Sequence, residues 1–219
     1  MSQTESMKET QKQPGSPSTE RDELIRMRIL LYDLAKSLFV REPDMETCRK
    51  WKTIFGTFAR MDALPELSSA SENINEILDK KGCKGVLMEY HELFIDPYSK
   101  NHLNTTASWH ADGRNYGPSL ASVRQLMDEA GVEKDRGYPE PEDSVEVLMD
   151  TMIRLMSHTE AEGENLDIQQ RMFRDFILPL VQSLNQRMEQ LHGFPFYRAC
   201  ASFLDAWLQI EHEFMAAAP

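Results

Sequence analysis

The chain has 219 residues, of which 41% are hydrophobic and 27% charged, and its formal net charge is −12. This length suits a single domain, and no run of about 18 apolar residues is present that could span a membrane as a helix. The acidic charge argues against nucleic acid as a partner, because phosphate binding requires clustered Lys and Arg. A cationic partner would be attracted instead, although solubility alone is a sufficient reason for such a charge.

The spacing of apolar residues along the chain is typical of helices. Residues 1–18 are polar, which predicts a disordered tail that is neither a secretory nor a twin-arginine export signal. Beyond the tail, apolar residues recur at helical spacing between Gly, Pro and capping residues. This spacing predicts helices over approximately 20–39, 45–61, 71–80, 84–95, 118–130, 145–156, 166–191 with a kink at Pro179, and from Gly193 to about 214. Strand-like alternation is lacking, so we expect an all-α, single-domain helical bundle over residues 19–217.

Two segments stand out within this pattern. The stretch from Asp96 to Gly117 is long and contains Pro, Asn, Thr and Gly, which makes it the best candidate for a functional loop. In the helix predicted over 145–156, Met149, Met152 and Met156 share an apolar stripe. Such a stripe usually faces the core, although methionines also suit an adaptable peptide groove.

The three cysteines, Cys48, Cys83 and Cys200, are far apart in sequence and form no C-x-x-C pair. Neither a zinc knuckle nor a thioredoxin-like redox pair is therefore indicated. We expect free, mostly buried thiols in a reducing compartment.

Motifs for catalysis are weak or missing from the sequence. A di-iron helical bundle needs two Glu-x-x-His pairs, and only Glu189 and His192 have that spacing. We interpret this single pair as a solvated helix face. The chain also has no phosphate-binding glycine motif and no G-x-S-x-G nucleophile elbow. We therefore predict no catalytic residues, no metal site and no cofactor, with a helical metal-dependent enzyme as the alternative.

The segment from Tyr138 to Asp150 is the most unusual in charge, with five acidic residues and no Lys or Arg. Its first part is a proline-stiffened loop that leads into a helix. Asp143 or Ser144 could simply cap that helix. The loop could equally hold guanidinium groups, which carboxylates bind through paired, charge-assisted hydrogen bonds. The residues alone leave both interpretations open.

Three blocks of this chain resemble the TorD/DmsD/NarJ family of molybdoenzyme chaperones. Residues 90–97 resemble its Y-x-x-L-F block, and residues 108–114 resemble its S-V-Y-x-D segment. Residues 140–144 resemble its E-P-x-D-H motif, except that Ser144 stands where the family has His. The resemblance extends more diffusely from about residue 22 to 214. Any role that depends on the family His is not carried over to this chain.

The resemblance implies an all-helical, cytoplasmic chaperone rather than an enzyme. Its partners would be the twin-arginine signal peptide and the apo form of a molybdoenzyme of the dimethyl sulfoxide reductase type. Binding would assist cofactor insertion and prevent premature export. By this interpretation Glu142 and Asp143 bind the arginines, within a loop that also presents Glu140 and Ser144. The peptide's apolar part would lie on Tyr90, Leu93, Phe94 and Trp109.

Several alternatives stay open at this point. An adaptor bundle with no signal-peptide role is compatible with the same helices. The long loops permit either a monomer or a domain-swapped dimer. The sequence also does not identify the client enzyme.

Overall fold

Helices account for most of the described residues in the computed structural model, which covers residues 17–157 and 165–217. In chain order they are α1 (Pro17–Val40), α2 (Met45–Phe58), α3 (Pro65–Tyr90), α4 (Ala107–Asp112), α5 (Pro118–Glu129), α6 (Val145–Ser157), α7 (Leu166–Met172), α8 (Leu178–Gln190) and α9 (Pro195–Ala217). No β-strand occurs within the described ranges, so the predicted all-α class is confirmed. The tail predicted for residues 1–18 lies outside the described residues as far as residue 16, and α1 begins at Pro17.

Two π-helical turns interrupt this pattern. His91–Ile95 continues α3, and Phe173–Ile177 joins α7 to α8. The second turn lies just before Pro179, where the sequence predicts a kink. Proline cannot donate the N–H of a regular helical bond and its ring crowds the preceding turn, so a wider turn at this point relieves both problems.

Helix α9 is the central element of the bundle and packs on α3, α8 and α1, while α1 also packs on α6 and α2 on α3. Aromatic side chains fill these contacts. Trp51 stacks on Phe196 with ring centroids 5.4 Å apart, and Phe55 meets Phe203 edge-on at 5.0 Å. Pairs of this kind add about 0.5–1.5 kcal/mol beyond their burial. Because these rings come from α2 and α9, they fix two helices that are distant in sequence.

The methionine stripe of α6 belongs to this core. Met149, Met152 and Met156 are all buried, as the core interpretation predicts. The apolar face of α6 therefore packs inside the bundle, and only its first turn and its polar face remain available for a ligand.

A buried ion pair joins the first and last described helices. Arg28 on α1 donates to Glu211 on α9 at 2.6 Å, and Tyr32 donates to the same carboxylate at 2.9 Å. Gln169 on α7 accepts from the Arg28 guanidinium at 3.2 Å, and the ring of Phe214 lies 4.1 Å below it. Both charges are buried, but each has several partners, which is the condition for a buried pair to be tolerated.

The start of α9 is capped by a residue of α3. The buried carboxylate of Glu89 accepts the backbone N–H groups of Phe196 and Tyr197 at 3.1 and 3.2 Å, and also binds Lys81. Burial raises the pKa of Glu89, and these donors act against that rise. A carboxylate at a helix N-terminus satisfies otherwise unpaired N–H groups and complements the helix dipole.

The cysteines correct one sequence-based expectation. Cys48 in the first turn of α2 and Cys83 in α3 form a disulfide, with Cα atoms 5.8 Å apart. This separation lies inside the range of about 4.4–6.8 Å typical of disulfides. Cys83 directly follows Gly82, whose positive φ of 67° breaks the helical path of α3. Only Cys200 is the free, buried thiol that was expected.

Candidate functional site

The long segment before α5 and the acidic loop (residues 138–144) are joined backbone to backbone. Thr106 and Ser144 form an isolated antiparallel bridge. On either side of it, Ala107 donates to the carbonyl of Asp143 and Val145 donates to the carbonyl of Thr105, both at 2.8 Å. Residues 102–106, which we call the strap, are thereby held against the start of α6.

Asp143 lies under this junction and is fully buried. Its Oδ2 accepts the backbone N–H of Ser108 at 2.8 Å, in the first turn of α4. Its Oδ1 and the hydroxyl of Ser108 have no hydrogen-bond partner within the described part of the chain. Ser144, the next residue, accepts from the N–H of Val147 at 3.3 Å and caps α6. Of the two capping candidates for α6, Ser144 is therefore the one that caps this helix, whereas Asp143 caps α4 instead.

His110 anchors α4 from its other side. Its Nε2 lies 2.6 Å from the carbonyl oxygen of Asn104, and its Nδ1 lies 2.7 Å from the hydroxyl oxygen of Ser183 on α8. A carbonyl only accepts, so Nε2 carries the proton and Nδ1 accepts from the Ser183 hydroxyl. Burial lowers the pKa of His110, with a further lowering from the charge of Arg187. The neutral imidazole thus holds the strap and α4 against the bundle.

A cavity of about 410 Å³, which we call the first cavity, opens between these elements. One wall is apolar and comes from the end of α1 and from the π-helical turn after α3. The rest of the lining comes mainly from the strap, Asn115 and Tyr116, the acidic loop and the first two residues of α6. The lining residues are Phe39, Val40, Tyr90, Phe94, Ile95, His102, Leu103, Asn104, Thr105, Thr106, Asn115, Tyr116, Glu140, Pro141, Ser144, Val145 and Glu146.

The charge of this cavity is negative. Its lining contains the carboxylates of Glu140 and Glu146, and no Lys or Arg among the residues that the structure describes. The same negative charge acts on Tyr90. Burial raises the pKa of Tyr90 to about 12, and the charges of Glu42, Glu146 and Glu140 add to the rise. A pocket that combines an apolar wall with two carboxylates suits a ligand that carries both a cation and an apolar portion.

The first cavity brings together half of the predicted site residues. Tyr90, Phe94, Glu140 and Ser144 line it. Leu93 and Asp143 do not, because both are fully buried within the fold. The assignment of Asp143 to a ligand arginine is corrected here, since its carboxylate faces α4 and has no exposed surface.

Glu142 and Trp109 also lie outside the cavity lining. Glu142 pairs with Arg124 of α5 at 2.9 Å. Partial burial acts to raise the pKa of Glu142, but the hydrogen bond and charge of Arg124, together with a backbone hydrogen bond and the charge of Lys134, lower it overall. Trp109 on α4 is 47% exposed and does not line the pocket. Neither residue is placed to meet a ligand that sits in the first cavity.

Several lining residues were missed by sequence reasoning. Glu146 is not among the residues predicted for the site, yet it lines the cavity. Tyr116 adopts a positive φ of 59° and its side chain is 71% exposed at the cavity mouth. A bulky residue with positive φ is uncommon and costs on the order of 1 kcal/mol, and such strain is concentrated at functional sites. No pattern in the sequence signals that backbone conformation.

Metal binding has no comparable support. Within residues 17–157 and 165–217, no group of three or more His, Cys, Asp or Glu side chains could hold a metal ion. In the same ranges, no helix has both the length and the apolar character needed to cross a membrane.

Comparison with known proteins gives a consistent set of relatives. The family model described as nitrate reductase delta subunit matches residues 62–186, a span that contains the strap and the acidic loop. Two proteins named "Chaperone protein TorD", from Shewanella sp. strain ANA-3 and strain MR-4, are similar to this chain. Each is 23% identical over 195 residues, which cover 83% of this chain and 90% of the relative.

Proposed function

We propose that this chain, which belongs to the TorD/DmsD/NarJ family of molybdoenzyme maturation chaperones, binds the twin-arginine signal peptide of its client in the first cavity. The client would be an apo molybdoenzyme of the dimethyl sulfoxide reductase type, held in the cytoplasm until its cofactor has been inserted. Membership of the family supports the chaperone role. The cavity supports the choice of ligand.

The observation that carries the proposal is the composition of the first cavity. Its lining combines the carboxylates of Glu140 and Glu146 with the apolar side chains of Phe39, Phe94 and Ile95. A twin-arginine signal peptide has the matching chemistry, because its paired arginines precede an apolar stretch. Guanidinium groups bind carboxylates through two parallel hydrogen bonds and are easily desolvated compared with an ammonium group. We therefore assign the arginines to Glu140 and Glu146, in place of Glu142 and Asp143.

The two carboxylates should contribute unequally. Glu140 is exposed and Glu146 only partly so. Water and salt screen an exposed pair strongly, so the Glu140 contact is expected to contribute less. Glu146 stands beside the buried part of the wall, where a charge-assisted hydrogen bond contributes about 1.5–3 kcal/mol.

The test is calorimetric titration of the purified chain with a synthetic twin-arginine signal peptide. We expect Glu146→Gln to weaken binding roughly tenfold and Glu140→Gln to weaken it roughly threefold. Glu72→Gln, at an exposed position on α3 far from the cavity, is the matched control and should not change the affinity. Added salt should weaken binding to the wild type more than to the Glu146→Gln variant.

Two peptide controls define what would contradict the proposal. A peptide with both arginines changed to Gln should bind at least tenfold more weakly than the parent. Equal binding of both peptides would show that the carboxylates do not recognise arginine. Binding of the parent that is insensitive to both Gln variants would move the arginine site away from the first cavity.

A further inference from the structure

Glu146 belongs to two cavities. Besides the first cavity, it lines a second one of about 260 Å³ on the other side of the acidic loop. The second cavity follows α6 away from the first, and its lining includes Val147, Asp150 and Arg154 of that helix. Between Glu146 and Arg154 the helix rises by about 12 Å, because each residue adds about 1.5 Å. An extended peptide covers that distance with about four residues.

Tyr138 contacts the residue that the two cavities share. Its hydroxyl group donates a hydrogen bond to Oε2 of Glu146. The ring lines the second cavity and not the first. The carboxylate that the proposed function assigns to an arginine is therefore already occupied by a neutral donor of the chain itself.

The backbone around Tyr138 holds it in this position. Its N–H donates to the carbonyl of Asp135 at 3.0 Å, and its own carbonyl accepts from Nζ of Lys134 at 2.9 Å. Lys134 also donates to the carbonyl of Glu140. The ammonium group thereby binds two carbonyls of the acidic loop, one on each side of Pro139. The phenol is presented by an organised turn, and its contact with Glu146 follows from that turn.

We propose that Tyr138 is an internal competitor for Glu146 and a gate between the two cavities, an inference that rests on the proposed function. An arriving guanidinium replaces the phenol on Glu146, because a charged, bidentate donor binds a carboxylate more strongly than a neutral hydroxyl does. Displacing the ring joins the cavities into one groove along α6. The peptide's arginine then occupies Glu146, and the residues flanking it continue into the second cavity.

The second cavity has the mixed character that such a flank requires. Met127, Val132 and Val147 provide apolar surface, while Asp135 and Arg154 provide charges of both signs. Asp150 is already bound to Lys36 at 2.7 Å. Its lining also includes Glu133 and Lys134, so four carboxylates are partly balanced by two cations, whereas the first cavity has no Lys or Arg in its described lining. The second cavity therefore suits polar and small apolar residues rather than a second pair of arginines.

Removal of a single hydroxyl group tests the gate. In Tyr138→Phe the ring stays but the hydrogen bond to Glu146 is lost, so the twin-arginine peptide should bind roughly tenfold more tightly than to wild type. Tyr98→Phe is the matched control, since the side chain of Tyr98 is 92% exposed and lines neither cavity. In a Glu146→Gln background, the Tyr138→Phe change should alter affinity less than twofold, as a double-mutant cycle requires for coupled residues.

The outcomes separate this inference from the proposed function. If the wild type binds the peptide and Tyr138→Phe binds it equally or more weakly, the gate is overturned and the proposed function stands. If the wild type does not bind the peptide but Tyr138→Phe does, the gate is supported, because the Tyr138 hydroxyl then blocks the site completely. If neither protein binds the peptide and urea unfolding shows that the wild type and Tyr138→Phe are both folded, the gate and the proposed function are both overturned.

Discussion

Asp143 and Ser108 are 35 residues apart, and the carboxylate of the first accepts the backbone N–H of the second at 2.8 Å. The acidic loop contributes negative charge to the first cavity, and through this bond it also helps to hold the site together. It ties α4 and the strap to the start of α6, and so sets the distance across the first cavity.

Removal of the Asp143 acceptor should therefore destabilise the fold. We expect Asp143→Ala to lower the free energy of unfolding by about 1–2 kcal/mol, since loss of a helix cap costs this much. Asp143→Asn keeps an oxygen acceptor and should cost less. Urea unfolding at neutral pH measures both, and an Ala variant as stable as the wild type would contradict the capping role.

The same Asn variant separates the two roles considered for Asp143. Because its carboxylate is fully buried, we expect Asp143→Asn to change peptide affinity by less than about twofold, which is under 0.5 kcal/mol. Calorimetry with the twin-arginine peptide provides the measurement. A loss of tenfold or more in a folded variant would return Asp143 to the arginine site.

The buried pair of Arg28 and Glu211 should be far more costly to break than a surface pair. Arg28→Met leaves the Glu211 charge buried without its cation, which typically costs about 3–5 kcal/mol. Changing Glu76, which pairs with Lys80 on the exposed face of α3, to Gln is the control and should cost less than about 1 kcal/mol. Similar losses in both variants, measured by urea unfolding, would contradict the buried network.

His110 makes the stability of the fold depend on pH. Its pKa in the folded state lies below the ordinary value of 6.5, so the unfolded chain binds a proton more readily than the folded one. Its contribution to stability is then present above about pH 6.5 and is lost as the pH falls through the folded pKa. We expect the free energy of unfolding to fall more steeply between about pH 7 and 5 in the wild type than in His110→Gln.

Unfolding in urea at several pH values measures this difference. The exposed His212 on α9 provides the matched substitution, His212→Gln. Identical slopes in the wild type and His110→Gln would contradict a neutral, buried role for His110.

The disulfide between Cys48 and Cys83 should be detectable by a chemical assay in solution. Under denaturing, non-reducing conditions we expect a thiol assay to find one free cysteine, Cys200, and a reductant to release two more. The bond closes a loop of intermediate length, so its loss in Cys48→Ser should lower the free energy of unfolding by about 2–4 kcal/mol. Three free thiols in fully oxidised protein would contradict the bond.

The helices could be predicted because their determinants are local. Apolar spacing and capping residues define α2, α5 and α6, and the gap predicted between residues 80 and 84 contains Gly82, whose φ of 67° breaks the helical path. The six-residue helix α4 escaped prediction because it is under two turns long and its cap comes from Asp143, far away in sequence. The disulfide escaped for a similar reason, since it depends on how α2 packs on α3.

The candidate site was predicted in part. The acidic loop was identified from charge and proline content, which are visible in the sequence. Which carboxylates of the loop and of the first turn of α6 line the first cavity depends on tertiary contacts. Glu142 pairs with Arg124, whereas Glu140 and Glu146 line the pocket. The occupation of Glu146 by Tyr138 likewise follows from the loop's folded path and has no local signature.

The link between Arg28 and Glu211 also bears on the order of events during synthesis. The two residues are 183 positions apart, so the guanidinium leaves the ribosome long before its carboxylate exists. Until α9 has been made, α1 lacks its buried partner and retains its hydrated charge, and desolvation of that charge would be unfavourable. Closure of the bundle is consequently a late step, and a nascent chain halted before α9 should leave α1 accessible to protease.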